Sequence, residues 1–451
     1  MMNKVLTYLL IGFLSVSCKD YLDYKPNIKM AIPTTLEDAE LLLNNYSDMN
    51  MGYPNQGEIS SDDYFLNYDN WLSISEIDHR NLYCWNNETL INTMPWQTTY
   101  KVVYIANQVI ELLNKLDPTV NAAKWKQVHG MAHFYRAFAF QQLLSTYTVA
   151  FKKETAAMEL GIPIRVTPNM DESAPRSSLE ASYEQVISDF KVSAYNLPHV
   201  AAGKSMPGKA AAYAALARVY LDMQDYGQAQ NYADSALSEN DFVLDYNDVD
   251  PNTDLPFSRF GKEVLFPATA SFSEAFGEYY CFTDTLLYAS YQSDDLRKVL
   301  FYKTSPTDPD YMTFKGSYDN SFGSPFVGLT TTEIYLIRAE CAARNNQLNI
   351  ANATMNSLLE KRWEKNSYIP IDETDPDRLL ALILKERRKE LVFRGLRWPD
   401  LKRLNMDPTY EKMLIRNLNG TVYQLQPNSL SYGILLPLSA INVGGLVQNK
   451  R

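Results

Sequence analysis

Residues 211–237 have the sequence AAYAALARVYLDMQDYGQAQNYADSAL. The spacing of the apolar residues predicts two helices separated by a short polar turn at Asp225. Small side chains recur on the faces that the two helices would turn toward each other: Ala217, Ala229 and Ala236. Because alanine lets two backbones approach closely, the segment predicts an antiparallel helical hairpin, with Tyr213 and Tyr220 filling the space beside the contact.

The same pattern of small and aromatic residues is typical of a tetratricopeptide hairpin, a unit that needs stacked neighbours to bury its apolar face. A looser copy lies at residues 333–359. Its matching positions are Tyr335, Ala339, Ala342, Ala351 and Leu358. A long insertion separates the two copies. The sequence therefore predicts a mostly α-helical protein, a scaffold of tetratricopeptide-like hairpins with large loop-rich insertions and a few short strands.

Two segments, residues 58–95 and 240–330, are rich in aromatic side chains but show no sustained helical or strand period. An exposed tryptophan or tyrosine can stack on the apolar face of a sugar ring while polar neighbours bind its hydroxyl groups. We therefore expect the two segments to form a ligand face. The candidate ligand-binding residues are Trp71, Tyr83, Trp85, Tyr280 and Tyr291. For any one ring, the alternative is that it packs its segment onto the helices.

The chain has 451 residues, of which 42 are basic and 53 acidic, for a net charge of −11 at pH 7. This balance argues against nucleic acid as a partner, because neutralising phosphates requires clustered Lys and Arg. The cysteines are few and widely spaced: Cys18, Cys84, Cys281 and Cys341. A disulfide framework is not expected, although a single bridge stays open.

The first residues have the layout of a secretory signal peptide. Lys4 precedes an apolar run over residues 5–16, which is too short to span a membrane, and small residues lead to Cys18. A cysteine at this boundary resembles the lipid-attachment site of a bacterial lipoprotein. We expect a signal peptide at 1–17, a lipidated tether at 18–31 and one helical domain at 32–451. The alternative is an ordinary signal peptide followed by an unmodified cysteine.

Two pairs of residues stand four apart on predicted helices. His129 and His133 could face one metal ion, but no third ligand is near them in sequence, so we expect structural histidines and no metal site. Glu386 and Glu390 could act as acid and base. They lie on a predicted helix over residues 377–394, which Gly395 would end in a left-handed conformation. Because many arginines flank both carboxylates, we expect ionised structural partners.

Residues 248–259 contain part of a calcium-loop pattern. Asp248, Asp250 and Asn252 have calcium-loop spacing, but Thr253 replaces the glycine and Arg259 the closing glutamate. A structural calcium ion therefore stays open, and no other cofactor is expected. The sequence contains no nucleophile elbow, phosphate loop or dinucleotide fingerprint, so nothing in it argues for catalysis.

Several motifs are spread along the chain: residues 17–23 (SCKDYLD), 61–63 (SDD), 104–110 (YIANQVI), 130–137 (GMAHFYRA), 214–221 (AALARVYL), 333–340 (EIYLIRAE), 386–391 (ERRKEL) and 395–403 (GLRWPDLKR). In their order and number they resemble the SusD/RagB family of outer-membrane lipoproteins. The resemblance implies a scaffold of four tetratricopeptide-like hairpins that sits as a lid over a SusC-like TonB-dependent barrel. It also implies capture of glycans, or of peptides in some relatives, at the cell surface.

Together, these observations predict a non-catalytic, lipid-anchored binding protein of the outer membrane that delivers a glycan to a SusC-like transporter. Three alternatives stay open: an oligopeptide-binding protein of the same kind of uptake complex, an anchored hydrolase, and a hairpin scaffold that binds only proteins.

Overall fold

This computed structural model describes residues 33–451, and helices supply most of its regular secondary structure. In chain order the helices are α1 (Leu36–Leu43), α2 (Tyr46–Met49), α3 (Gln56–Ser60), α4 (Tyr68–Ser73), α5 (Ile77–Tyr83), α6 (Met94–Leu113), α7 (Ala122–Tyr147), α8 (Leu179–Asn196), α9 (Lys209–Asp222), α10 (Tyr226–Glu239), α11 (Thr285–Ala289), α12 (Arg297–Phe301), α13 (Thr331–Arg344), α14 (Leu348–Leu359), α15 (Pro376–Glu390), α16 (Arg397–Leu404) and α17 (Leu438–Asn442).

The strands are short and pair two by two. They are β1 (Met51–Tyr53), β2 (Tyr64–Phe65), β3 (Leu160–Pro163), β4 (Arg176–Ser178), β5 (Val264–Phe266), β6 (Thr269–Ala270), β7 (Phe282–Thr283), β8 (Tyr302–Thr304), β9 (Met312–Phe314), β10 (Leu329–Thr330), β11 (Leu414–Leu418) and β12 (Thr421–Leu425). β1 and β6 are parallel, whereas β2–β7, β3–β4, β5–β10, β8–β9 and β11–β12 are antiparallel.

The hairpin predicted at residues 211–237 is formed by α9 and α10. Gln224 adopts a left-handed conformation in the turn, with φ of 60°, and the Asp225 side chain caps α10 by accepting a hydrogen bond from the backbone N–H of Gln228. The three contact alanines, Ala217, Ala229 and Ala236, have no exposed surface. The prediction of a hairpin closed over small residues is confirmed.

The second predicted hairpin is also present, as α13 and α14, and it packs directly against the first. Its turn again contains a left-handed residue, Asn346, with φ of 58°. Arg218 of α9 and Glu333 of α13 form a buried bidentate ion pair, with both N–O distances at 2.6 Å. Two neutral side chains complete the junction, since Gln230 donates a hydrogen bond of 2.6 Å to Gln347.

Eight long helices pack in series to form the scaffold: α6, α7, α8, α9, α10, α13, α14 and α15. These amount to four helix pairs, so the expected mostly α-helical, tetratricopeptide-like architecture is confirmed. α7 is buried along most of its length, since Phe134, Phe138 and Phe140 have no exposed surface. One large hydrophobic core joins this part of the scaffold to the two insertions, and a smaller core lies under α13, α14 and α15.

Two expectations about secondary structure were wrong. Residues 58–95 were expected to lack regular structure, but they carry most of α3 together with β2, α4, α5 and the start of α6. The helices α3, α4 and α5 have 5, 6 and 7 residues, which is too short for a helical period to stand out in the sequence. The helix expected at 377–394 ends at Glu390. The expectation was too long because Val392 and Phe393 continue the apolar pattern of the sequence, although in the structure they are buried turn residues. Gly395 has the left-handed conformation expected of it, with φ of 69°.

The three cysteines in the described part of the chain, Cys84, Cys281 and Cys341, are buried free thiols. The single disulfide that the sequence left open therefore does not form among residues 33–451. Cys18, the expected signal peptide and the whole of the expected tether lie outside the described residues.

The Arg218–Glu333 pair predicts a large loss of stability when one partner is removed. We expect Glu333→Gln to lower the free energy of unfolding by about 3–5 kcal/mol, because Arg218 would keep a buried charge without its counter-ion. Urea denaturation measures the change. Glu111→Gln is the matched control, because Glu111 pairs with Lys115 on the exposed surface of α6, where a loss below about 1 kcal/mol is expected. Equal losses for the two variants would contradict the proposed role of the buried pair.

Candidate ligand-binding face

The two insertions, far apart in the sequence, meet through their backbones. β2 of the first insertion pairs with β7 of the second, in the register Tyr64 to Thr283 and Phe65 to Phe282. The pairing continues where the backbone N–H of Asp284 donates to the carbonyl of Asp63 over 2.9 Å. The fold thus joins the two segments that the sequence proposed as one ligand face.

Side-chain hydrogen bonds lock the two segments together on either side of the strands. Asn70 donates to the backbone carbonyl of Tyr280 over 2.9 Å, and Glu274 accepts from the backbone N–H of Ser75 over 2.7 Å. His79 and Ser273 hydrogen-bond at 3.0 Å between Nδ1 and Oγ. Burial lowers the pKa of His79 to about 4, although nearby Glu274 acts in the opposite direction, so the imidazole is neutral at physiological pH.

Four aromatic residues near this junction have exposed or half-buried side chains, and we call them together the aromatic face: Tyr68, Trp71, Tyr279 and Tyr280. Tyr68 and Trp71 lie next to each other on α4, with ring centroids 5.9 Å apart. Tyr279 is 57% exposed, Tyr68 is 38% exposed, and Trp71 and Tyr280 are half-buried. The indole N–H of Trp71 already donates to the carbonyl of Arg80 over 3.1 Å, which fixes the indole ring in place.

The structure places three of the five predicted ligand residues elsewhere. Tyr83 and Tyr291 are buried in the core, with 1% and 2% exposure, so neither ring offers a face to a ligand. Their hydroxyl groups form buried hydrogen bonds: Tyr83 accepts from the backbone N–H of Leu66, and Tyr291 donates to the carbonyl of Lys389. Trp85 is half-buried and lines a separate small cavity of about 20 Å³, with its indole N–H donating to the carbonyl of Ser60.

The aromatic face also contains two rings that were not among the predicted ligand residues, Tyr68 and Tyr279. Tyr68 stands three residues before Trp71, which is the spacing that places two side chains on one face of a helix. Tyr279 directly precedes Tyr280 in a polar segment. The spacing of Tyr68 was not recognised, because the short helix α4 was not expected from the sequence. For Tyr279, its place beside Tyr280 was the one local signal.

A network of charged side chains centred on residues 386–403 binds the first insertion, and we call it the ionic hub. Asp62 and Asp63 follow α3, and their carboxylates bind Arg397 at 2.6 Å and Arg388 at 2.8 Å, respectively. Lys412 adds a third ion pair to Asp62 at 2.5 Å. These ion pairs attach the first insertion to the far end of the chain.

Glu386 and Glu390 also belong to the ionic hub, as the sequence predicted. Arg297 of α12 lies 2.6 Å from Glu386 and 3.3 Å from Glu390, and Arg362 lies 2.9 Å from Glu390. Burial alone would raise the pKa of Glu390, but the guanidinium groups of Arg362 and Arg297 outweigh it and lower that pKa. Because Glu390 is ionised, fully paired and without exposed surface, it has no geometry for acid–base catalysis on a substrate.

The residues that the sequence offered as possible metal ligands make contacts within the protein. His133 binds the carboxylate of Asp189 at 2.7 Å, and His129 stacks on Trp125 with ring centroids 4.6 Å apart. In the possible calcium loop, the Asp250 carboxylate accepts hydrogen bonds from both the backbone and side-chain amides of Asn252. Between residues 33 and 451, no three His, Cys, Asp or Glu side chains are grouped so as to hold a metal ion.

Two family models together account for nearly the whole chain. The model of the SusD family matches residues 208–435. A model for SusD-like proteins, described as starch-binding and associating with the outer membrane, matches residues 20–221. The chain belongs to the SusD family. The resemblance seen in the sequence motifs is therefore confirmed.

Individual relatives of this SusD-family protein are distant in sequence but similar along most of their length. SusD-like protein P2 of Formosa agariphila is 23% identical over 375 residues, which cover 69% of this chain and 71% of the relative. A SusD-like carbohydrate-binding protein from Bacteroides vulgatus superimposes with a TM-score of 0.69 at 20% identity, covering 91% of this chain and 97% of its own. The surface glycan-binding protein A of Bacteroides uniformis gives a TM-score of 0.70 at 16% identity, covering 92% and 99%. At these identities the two structures establish the fold.

Within residues 33–451, none of the helices α1–α17 combines the length and apolar character that a membrane-spanning helix needs.

Glu58 makes the contact between α3 and Gly395 sensitive to pH. Its carboxylate accepts a hydrogen bond from the backbone N–H of Gly395 over 2.8 Å. Burial and the neighbouring Asp63 carboxylate raise the pKa of Glu58 to about 8 from an ordinary value of 4.5. Between these two values the folded chain binds more protons at Glu58 than the unfolded chain does. Its contribution to stability is therefore complete below about pH 4.5 and is lost as the pH rises through about 8.

We expect Glu58→Gln, which stays neutral at every pH, to lose less stability than the wild type between about pH 5 and about pH 9. The difference between the two losses should be at least about 1 kcal/mol, since one pKa unit corresponds to about 1.4 kcal/mol. Urea denaturation at both pH values measures it. Parallel losses in the two proteins would show that Glu58 is not protonated in the fold.

Proposed function

We propose that this SusD-family protein binds glycans at the cell surface without catalysing their conversion. The observation that supports the proposal is the aromatic face, where two insertions of the helical scaffold hold exposed rings in fixed positions. Flat apolar ring faces are what a binding site needs to stack on a sugar. Relatives of the same fold are named as a carbohydrate-binding protein and a surface glycan-binding protein.

The surroundings of the aromatic face supply polar groups suited to sugar hydroxyls. Asn67 and Asp69 are exposed on and beside α4, and Glu278 lies next to Tyr279. Lys303 is held near this edge by ion pairs to Glu278 and Asp254, at 2.7 and 3.1 Å. Amide, carboxylate and ammonium groups of this kind hydrogen-bond to hydroxyl groups without requiring a charged ligand.

The open shape of the aromatic face supports modest affinity for a single short oligosaccharide. Each stacked ring adds about 0.5–1.5 kcal/mol, and the half-buried rings offer only one face each. A polysaccharide with many repeats would bind more tightly to a surface carrying many copies of the protein, because the second contact of a chain forms at high effective concentration.

Substitution of the rings tests the proposal. We expect Trp71→Ala and Tyr280→Ala each to weaken binding by about 1 kcal/mol, or roughly fivefold in Kd, on a polysaccharide that the wild type binds. Affinity gel electrophoresis against a polysaccharide panel, followed by calorimetry, measures the effect. Tyr195→Ala is the matched control, because Tyr195 is 78% exposed on α8, outside the aromatic face, and its loss should leave binding unchanged.

Three results would contradict the proposal. Unchanged binding by both variants would show that the ligand site lies elsewhere on the protein. Retention of short peptides instead of any polysaccharide would favour an oligopeptide-binding protein. Chemical conversion of a retained polysaccharide would instead identify an anchored hydrolase.

We further propose that Cys18 carries the lipid that holds the protein on the outer membrane, and that the bound glycan passes to a SusC-like TonB-dependent barrel. The sequence layout around Cys18 and the family model described as associating with the outer membrane support this arrangement. A surface anchor would keep the aromatic face close to the transporter, so that capture and import are coupled.

Replacement of the cysteine tests the anchor. We expect Cys18→Ala to move the protein from the membrane fraction to the soluble fraction and to abolish incorporation of radiolabelled palmitate. Cys84→Ala, which changes a buried thiol, is the control and should leave both properties as in the wild type. Membrane retention of Cys18→Ala with unchanged label would disprove the proposed anchor.

A further inference from the structure

The protein also has a groove that shares no lining residue with the aromatic face. It is a groove of about 720 Å³ between α6, the segment after β3 and the C-terminal residues around α17. Its volume falls within the range of about 300–1,000 Å³ that small-molecule sites occupy. We call it the α6 groove.

Three aromatic residues on α6 line the α6 groove: Trp96, Tyr100 and Tyr104. They are spaced four residues apart, which places them one above the other on the same side of the helix. The rings of Trp96 and Tyr100 lie 4.8 Å apart. Exposed apolar side chains, Met170 at 69% and Val443 at 89%, extend this apolar wall to the rim of the groove.

Three polar side chains on this side of α6, those of Tyr100, Tyr104 and Asn107, already make hydrogen bonds within the protein. Tyr100 donates its hydroxyl to the carbonyl of Pro163 over 3.0 Å, and the Tyr104 hydroxyl accepts from Gln108 over 2.9 Å. Asn107 donates to the backbone carbonyls of residues 165 and 167, and its own oxygen accepts from Arg136. Gln97 and Ser439 are neutral polar lining residues whose side chains make no hydrogen bond within residues 33–451. A sugar or a peptide in the groove could bind these two side chains, but its remaining hydroxyl or amide groups would be buried against apolar rings, which is unfavourable.

Arg165 is one of two basic residues that line the groove. Its guanidinium group lines the groove and makes no side-chain hydrogen bond or ion pair with any other residue of the described range 33–451. Burial raises the pKa of the Tyr100 hydroxyl, and the positive charge of Arg165 opposes that rise, which places the guanidinium near the aromatic wall. The second lysine or arginine of the groove, Lys101, is paired with Asp48 at 2.6 Å.

We propose that the α6 groove binds a small monocarboxylate with an apolar body, such as a medium-chain fatty acid. The body lies along the rings of Trp96, Tyr100 and Tyr104, and the carboxylate forms a charge-assisted hydrogen bond with Arg165. Such a ligand satisfies the one unpaired cation and places no other polar group against the apolar wall. This site depends only on its own residues and is independent of glycan binding at the aromatic face.

A comparison of decanoate with decanol tests the proposal, because the two molecules share the apolar chain and differ in the charged group. Calorimetry or ligand-observed NMR on the wild-type protein, below the concentration at which decanoate forms micelles, should show decanoate binding at least about tenfold more tightly than decanol. Arg165→Gln should remove this preference and leave the affinity for decanol unchanged. Val443→Asp should weaken both ligands at least about tenfold, because it places a charge on the apolar rim.

Val447→Asp is the matched control, because Val447 is 64% exposed on the same C-terminal segment and does not line the groove. Binding by this variant should equal that of the wild type, and thermal denaturation checks that all variants are folded. Equal affinity for decanoate and decanol, absence of decanoate binding, or decanoate binding that neither Arg165→Gln nor Val443→Asp changes would each overturn the proposal. Displacement of decanoate by a neutral oligosaccharide or an apolar peptide amide would overturn the carboxylate assignment.

Discussion

The carboxylate of Glu390 has no exposed surface and lies between the guanidinium groups of Arg362 and Arg297, at 2.9 and 3.3 Å. A charge in this position is tolerated only when its partners are in place, since an unpaired buried ion costs several kcal/mol. The partners come from distant parts of the chain: Arg297 belongs to the second insertion, and Arg362 follows α14. The ionic hub therefore requires the insertion, the end of the second hairpin and α15 to be assembled together.

The aromatic face depends on the same constraint. Asp62 and Asp63 bind Arg397 and Arg388 of the ionic hub, so the first insertion is attached to the end of the chain as well. With both insertions fixed, the β2–β7 pairing and the Asn70 hydrogen bond hold the rings of α4 beside Tyr280. A face built in this way is preorganised, so binding a ligand does not require ordering a long loop, which is a major cost of association.

The helical scaffold was predictable because its signals are local. Alanines and tyrosines at helical spacing in residues 211–237 and 333–359 predicted two hairpins, and both are present as α9–α10 and α13–α14. The short helices α3, α4 and α5 could not be predicted, because a helix of one or two turns shows no period and is stable only through its tertiary contacts.

The sequence by itself determined the fold class, which follows from helical spacing, and the structural role of Glu386 and Glu390, which follows from the charges of near neighbours. The family followed from the resemblance of its motifs to the SusD/RagB family. Only the tertiary structure decided which aromatic rings are exposed. Tyr83 and Tyr280 have similar sequence surroundings, yet the first has 1% exposure while the second reaches the surface. Exposure depends on contacts between segments some 200 residues apart, such as the β2–β7 pairing, and no local pattern encodes which side of a ring such a contact covers.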